Sequence, residues 1–439
     1  MRSSPGCLRQ SEVAALEEVM IELPYDLMRR KIELHLRKGL LLKVAEPSPL
    51  HGAAPEAEAE RALSSPEFTA ALKRGLSRGG KAVVLIDDHT RPTPTKRVLP
   101  KVLEKLERFQ EVTVIYARGT HETPTQELLE MKVSREVMDS YPVIIHNAYN
   151  HRLHYYVGLT RLGTPVWVSS ELQDAALVIG VGSIFPSELA GFTGGYKIAV
   201  PGAACYRTIN TNHRLCLSPN ADYGILEGNP LREDIDEAGK LAGLSFILDF
   251  VLDLRTGKAK AFYGDPVQAH RAGAKLSAEV YRVSAPRADA VLASPGAHED
   301  IDFCQALKAI CAADEYCTRG GTIVLFASCP LGVAWPELSS LLKEAREEGW
   351  SREEILLQAC SSDYEAIAAY IAYRLYHLLV KREKRLIVVS DNLSESDLKE
   401  FGAEVYRDPQ EAVDEATRGA RDRSVLVLKS AGCVWPLVE

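Results

Sequence analysis

The sequence predicts an α/β protein built of two domains with largely parallel sheets and a functional site in the cleft between them. Short runs of almost unbroken apolar, β-branched residues alternate with helical patterns along most of the 439 residues. Strands that are apolar on both faces belong to parallel sheets covered by helices on each side. No continuous Gly-x-Gly-x-x-Gly follows the first such strand, which ranks a plain NAD-linked dehydrogenase last among the enzyme readings.

In chain order, Ala82–Ile86 reads as a buried strand followed by a helix near Pro100–Phe109. Val112–Tyr116 is a second strand, with a helix from about Thr125; Val143–Ile145 and Ala176–Ile179 are the third and fourth. A second block has candidate strands at Ala288–Ala293, Thr322–Ala327, Leu386–Ser390 and Ser424–Leu428, with a long helical pattern over Ser351–Val380. These patterns divide the chain into an amino-terminal cofactor-binding domain (1–270, with the carboxyl-terminal tail able to rejoin it), a hinge helix (271–286) and a carboxyl-terminal domain (287–439). The helical pattern at the hinge spans Pro266–Val283, and Pro47–Glu60, rich in Ala, Pro and Glu, reads as a surface loop.

Composition narrows the function classes. Apolar residues make up 46% of the chain, charged residues 26%, and the formal net charge is -8. That is enough apolar material for two or three cores. Lys and Arg are scattered, which argues against a nucleic-acid surface. The start lacks an apolar signal core, and no run of about 18 apolar residues marks a membrane span. Nine cysteines with no Cys-x-x-Cys pair fit reduced, buried thiols, so a cytoplasmic location is expected.

In open parallel sheets, ligands bind beyond the carboxyl ends of the strands. Polar clusters stand at four such ends: Asp87–Pro94 (DDHTRPTP), Arg118–Pro124 (RGTHETP), His146-Asn147, and Gly180–Ser183. Asp88 and Thr90 have a bland reading as helix caps. Arg91 offers a guanidinium fork suited to a carboxylate or phosphate. His121 is either a proton-transfer group or a turn residue that satisfies backbone. Lys197 follows a flexible loop, Gly191-Phe192-Thr193-Gly194-Gly195, whose glycines permit positive φ and close approach of a ligand. Tyr196 before the lysine and Ile198 after it distinguish the loop from a Walker motif. His213 ends a polar helical stretch, and one histidine cannot hold a metal by itself. Gln305 and Lys308, three apart, share a helix face and could meet an anion, or simply belong to an amphipathic helix.

Taken together, DDHTRPTP, GTH, GFTGGYK-x-x-x-PG, NTNH and DFCQALK resemble the nickel-dependent lactate racemase family, over about Leu85–Lys308. The resemblance implies a nickel-pincer nucleotide cofactor, a pyridinium mononucleotide that holds nickel through S, C and S. It makes His213 the protein's nickel ligand and Lys197 a residue that can be joined covalently to the cofactor. His121 becomes the catalytic histidine, and Asp88, Thr90, Arg91, Ser187, Gly194, Gly195, Gln305 and Lys308 line cofactor and substrate. It further implies a small 2-hydroxy acid or sugar acid as substrate, hydride transfer as the chemistry, and cofactor-maturation enzymes as partners. The oligomeric state is left open. One position departs from the pattern: a second histidine expected ten residues before Lys197 is replaced by Ser187. Serine is no base near neutral pH without a partner, so an epimerase for a longer acid gains ground over a lactate racemase proper. A one-directional redox or lyase-type enzyme on the same cofactor, and a non-catalytic cofactor-binding protein, are the alternatives.

Overall fold

The computed structural model describes residues 18–26, 30–37, 40–361, 364–418 and 423–439. The reading of the amino terminus as lacking a signal core therefore falls almost wholly outside the described residues. The chain forms two compact units, and neither is one continuous stretch: one holds Pro47–Val283 and Trp335–Arg374, the other the residues up to Glu46, Ser284–Ala334 and Leu375–Glu439.

The first unit is built on six strands, β1 (Lys81–Asp87), β2 (Glu111–Ala117), β3 (Val143–Ile145), β4 (Leu177–Ser183), β5 (Phe246–Leu252) and β6 (Ala259–Gly264). Their order across the sheet is β6-β5-β4-β1-β2-β3. Only β6 runs antiparallel, against β5; the other neighbours are parallel. The central strands are apolar on both faces because both are covered, and Ala82–Ile86 is wholly buried. Helices α1 (Tyr206–His213), α2 (Pro230–Leu241) and α3 (Pro266–Tyr281) belong to this unit. Order reverses between β1, β2 on one side and β4, β5 on the other, which is a topological switch point.

The other unit has a wholly parallel six-stranded sheet, in the order 403–406, 385–389, 317–326, 288–293, 424–428 and 41–45. The four strands expected in this block are all present. The expected domain boundary at 1–270 needs correction, because residues 41–45 pair in parallel with 424–428 and so belong to this sheet. An apolar strand stretch such as Leu41–Ala45 carries no mark of which sheet it will join. The Ala-rich stretch read as loop is helical from Pro55 to Leu63, a helix that starts on proline. The pattern over Ser351–Val380 is broken into Arg352–Leu357 and Ala366–Tyr376, followed by a wider final turn at His377–Lys381. Among the described residues, no helix is long and apolar enough to cross a membrane.

Packing behind the lysine-bearing loop is tight. Gly239 on α2 faces Tyr196, and a Cβ there would lie 2.5 Å from that side chain's Cβ and Cδ1. Alanine in a helix interior normally gains about 1 kcal/mol over glycine, whereas overpacking a filled core costs about 1–3 kcal/mol. Gly239→Ala is therefore expected to lower stability by up to about 2 kcal/mol in urea unfolding, against the usual sign of a Gly-to-Ala change in a helix.

Candidate active site

The carboxyl edge of the first sheet is organised by register. Asp249 on β5 pairs with Gly182 on β4, and Asp87 on β1 pairs with Ala117 on β2. Ile86 pairs with Val181, so Asp249, Gly182, Asp87 and Ala117 form one row across four strands. Residues in register on parallel strands point to the same face. All four line one hollow of about 730 Å³ of empty space, part of it open to solvent, which also takes in Asp88, Arg91, Arg118, His121, Ser183, Thr193, Gly194, Lys197 and His213.

Asp88 is 2% exposed and organises the turn after β1. Its Oδ1 accepts from the Thr90 amide (3.0 Å) and hydroxyl (2.5 Å), and its Oδ2 lies 2.5 Å from His121 Nδ1. Burial alone would raise this carboxyl, yet the charge and hydrogen bond of His121, with His89 and Arg91, hold it far below the ordinary range. An ionised Asp88 takes the Nδ1 proton of His121 as a hydrogen bond, which leaves Nε2 as the basic nitrogen. The capping reading of Asp88 fails, since the next helix, Thr95–Glu104, has Pro94 at its start and no side-chain cap. His121 is held from behind by Arg118, whose guanidinium donates to the carbonyls of His121 and His146.

Asp87 packs against buried Lys132, whose Nζ donates to Asp87 Oδ1 (2.6 Å) and to the carbonyls of Arg91 (3.1 Å) and Thr93 (3.0 Å). Three donors meet three acceptors, so this buried lysine pins the turn that carries Asp88 and Arg91. The Arg91 guanidinium donates to the Thr90 carbonyl and hydroxyl, each at 2.9 Å.

His213 is the last residue of α1. Burial, then the charges of Lys197 and His121, lower its pKa to about 3, so it is a neutral imidazole able to offer a lone pair to a metal. The helix is tied down one residue earlier, where the Asn212 amide donates to buried Asp234 at 2.7 Å. Lys197 sits in the 3-10 turn Gly195–Ile198. That turn is entered through Gly194 (φ 80°) and Gly195 (φ 63°), conformations that L-residues rarely adopt. Among the described residues, no three His, Cys, Asp or Glu side chains converge to hold a metal.

The sheet thus brings Asp88, Arg91, His121, Gly194, Lys197 and His213 to one hollow. Thr90 stands behind them, its hydroxyl 3.4 Å from His121 Nδ1, and Gly195 donates its amide to Asp249 at 2.6 Å. Ser187 does not line the hollow; its hydroxyl accepts from the amides of Leu189 and Ala190. His146 is likewise absent from it, buried with Nε2 on the Ala204 carbonyl. Gln305 and Lys308 belong to the other unit, where Lys308 Nζ bonds Glu299 (2.7 Å) and Gln305 (2.8 Å). Sequence reasoning places Asp87 in the cluster after the first strand without giving it a role, and it misses Asp249 and Lys132. For Asp249 a signal existed: one carboxylate in the middle of the apolar run FILDFVL.

Comparison with known proteins places the chain in a family. Residues 27–224 match the family described as the lactate racemase N-terminal domain. The lactate racemase of Thermoanaerobacterium thermosaccharolyticum is 31% identical over 295 residues, covering 66% of this chain and 69% of that protein. The lactate racemase of Lactiplantibacillus plantarum is 30% identical over 317 residues, 70% of this chain and 74% of that one. The solved lactate racemase apoprotein from T. thermosaccharolyticum superposes with a TM-score of 0.81 at 25% identity, covering 95% of this chain and all of that one. A protein from Thermotoga maritima shares the fold, with a TM-score of 0.68 at 18% identity, over 89% of this chain and all of its own. The chain belongs to the lactate racemase family, and its class is that of an isomerase.

Asp249 supplies a test of the site's electrostatics. Burial, with added repulsion from Asp87, raises its carboxyl to about 7 against the hydrogen bond from Gly195. Its unfolded value is about 3.9. Between those values the folded chain binds the extra proton, so this group weakens stability as pH rises through that window and not beyond it. Asp249→Asn, which cannot ionise, is expected to gain relative to wild type between pH 4 and 7, by on the order of 4 kcal/mol at most. Urea unfolding at pH 4.5 and 7.5 reads the sign; a difference that does not change with pH would refute it.

Proposed function

We propose that the protein is a racemase or epimerase of a 2-hydroxy acid, acting by proton-coupled hydride transfer on a nickel-pincer nucleotide. The Asp88–His121 pair carries this reading, because it stands in the same hollow as Lys197 and a neutral His213. The residues present fit such a cofactor. A single imidazole donor suits a metal that brings its other ligands with it. The turn at Gly194 and Gly195 leaves backbone, with no Cβ, beside the lysine. When bound, the cofactor supplies the acceptor that takes up and returns the α-hydrogen.

The chain's own residues do the rest. His213 would ligate nickel, and Lys197 would hold the cofactor by charge or by a covalent bond. Arg91 would engage the substrate carboxylate as a charged fork. Asp88 fixes the tautomer of His121, so that Nε2 takes the proton of the 2-hydroxyl group and later gives it back. Return of the α-hydrogen to the opposite face of a planar 2-oxo acid would invert the centre, and return to the same face would regenerate the substrate. Because lactate is the substrate in the names of both curated relatives, it heads the panel of acids to be tried, followed by longer hydroxy and sugar acids.

Protein produced with the maturation enzymes, given single enantiomers of 2-hydroxy acids, should form the opposite enantiomer. A mixture of α-deuterated and unlabelled acid should distinguish this route from plain proton abstraction, since the label then stays at the α-carbon. An oxo acid accumulating in place of the enantiomer would favour the one-directional alternative. His121→Ala should lower turnover by about 10²–10⁴-fold while cofactor is retained. His213→Ala should lose nickel, read by metal analysis of the purified protein, with folding unchanged by circular dichroism.

A further inference from the structure

The loop that presents Lys197 is held in an unusual way. Five of its backbone carbonyls, from residue 189 to 194, meet buried side-chain donors. Asn229 donates to the Leu189 carbonyl at 2.9 Å. Arg232 on α2, wholly buried, spreads its guanidinium over three more: Nε to Ala190 (3.2 Å), Nη2 to Phe192 and Nη1 to Gly194 (3.4 Å). His270 on α3, also wholly buried, meets the Thr193 carbonyl through Nε2 at 2.8 Å. On the other side, the Gly195 amide donates to buried Asp249 on β5 at 2.6 Å.

These groups answer one another. Arg271 donates to His270 Nδ1 (2.9 Å) and pairs with Asp236 (2.5 Å), which in turn meets Arg232 (3.4 Å). His270 accepts at Nδ1, so its Nε2 carries the proton that reaches Thr193. The fit leaves no room to spare: a Cβ at Gly194 would lie 2.7 Å from Asp249, and one at Gly195 would lie 3.0 Å from the His270 ring. Burying an arginine and a carboxylate is costly, and a turn needed only to reverse the chain can be made from glycine and water-exposed backbone. Here three separate elements bring charged or polar groups to a few residues of backbone, and the next side chain into the hollow is Lys197.

We propose that Arg232, Asp249 and His270 form a buried clamp that sets the position of Lys197, which makes them positioning residues for the chemistry at that lysine. The proposal rests on the reading of Lys197 as the group that engages the cofactor. The clamp itself is open to test without any cofactor.

Hydrogen exchange of the 189–198 segment, and site-resolved reductive methylation of Lys197, are measured on the apoprotein. Asp249→Leu and His270→Ala, each removing one bond, should speed exchange in this segment by about tenfold, in excess of any change elsewhere in the molecule. Both should also alter the methylation rate of Lys197. Asp249→Asn keeps an acceptor for the Gly195 amide and should show no acceleration confined to this segment. Arg232→Lys, which keeps the charge and loses the fork, should behave as Asp249→Leu does; if it fails to fold, the other two variants carry the comparison. Folded variants with unchanged exchange over 189–198, or with acceleration spread evenly through the molecule, would overturn the clamp and leave these residues a purely structural role. Failure of the loaded enzyme to racemise any acid would count against the functional reading alone.

Discussion

The structure depends first on the register of a parallel sheet. In such a sheet every strand delivers its carboxyl end to the same edge, and side chains in register share a face. Here that edge holds a row of Asp249, Gly182, Asp87 and Ala117, two carboxylates with a gap between them where glycine stands. A Cβ at Gly182 would come to 3.0 Å from Asp249 Oδ1 and 3.7 Å from Asp87 Oδ2. The missing side chain makes the floor of the hollow. The loops above it are then fixed by buried charge: Lys132 holds the turn of Asp88 and Arg91 from below, and Arg118 holds that of His121.

Electrostatics assigns the imidazoles different states. His121 faces an ionised carboxylate; buried His270 and the half-buried His213 stand among cations and stay neutral. His89 is driven down to about 4 by burial and bonds the Tyr116 hydroxyl through Nδ1. Only one of the four has a carboxylate partner at its ring nitrogen among these contacts, and that one is the residue best placed to exchange a proton.

Much of this was legible in the sequence, for definable reasons. The strands at 82–86, 112–116 and 177–179 announce themselves by unbroken apolar runs, and the polar residues just after them are read directly as the edge of the sheet. Phe246–Leu252 does not read as a strand because its central aspartate spoils the apolar run, although that aspartate is the reason the strand matters. Lys132 was invisible because a lysine near a helix end normally points to water, and only the fold reveals its acceptors. His146 has the right position in sequence, but β3 lies at the edge of the sheet, away from the switch point, and the side chain turns inward to Ala204. The placement of Ser187 against the amides of Leu189 and Ala190 likewise depends on a two-residue hairpin that no pattern announces.

The pairing of residues 41–45 with 424–428 sets an order on synthesis at the ribosome. A growing chain exposes residues 41–45 long before their neighbour, 424–428, is made. The unit that carries Lys197 and His213 has all its sheet strands by Gly264, and so can assemble its sheet while the other is still lacking its inner strands. An early strand left waiting is an open edge, and the time it waits grows with every residue still to be translated.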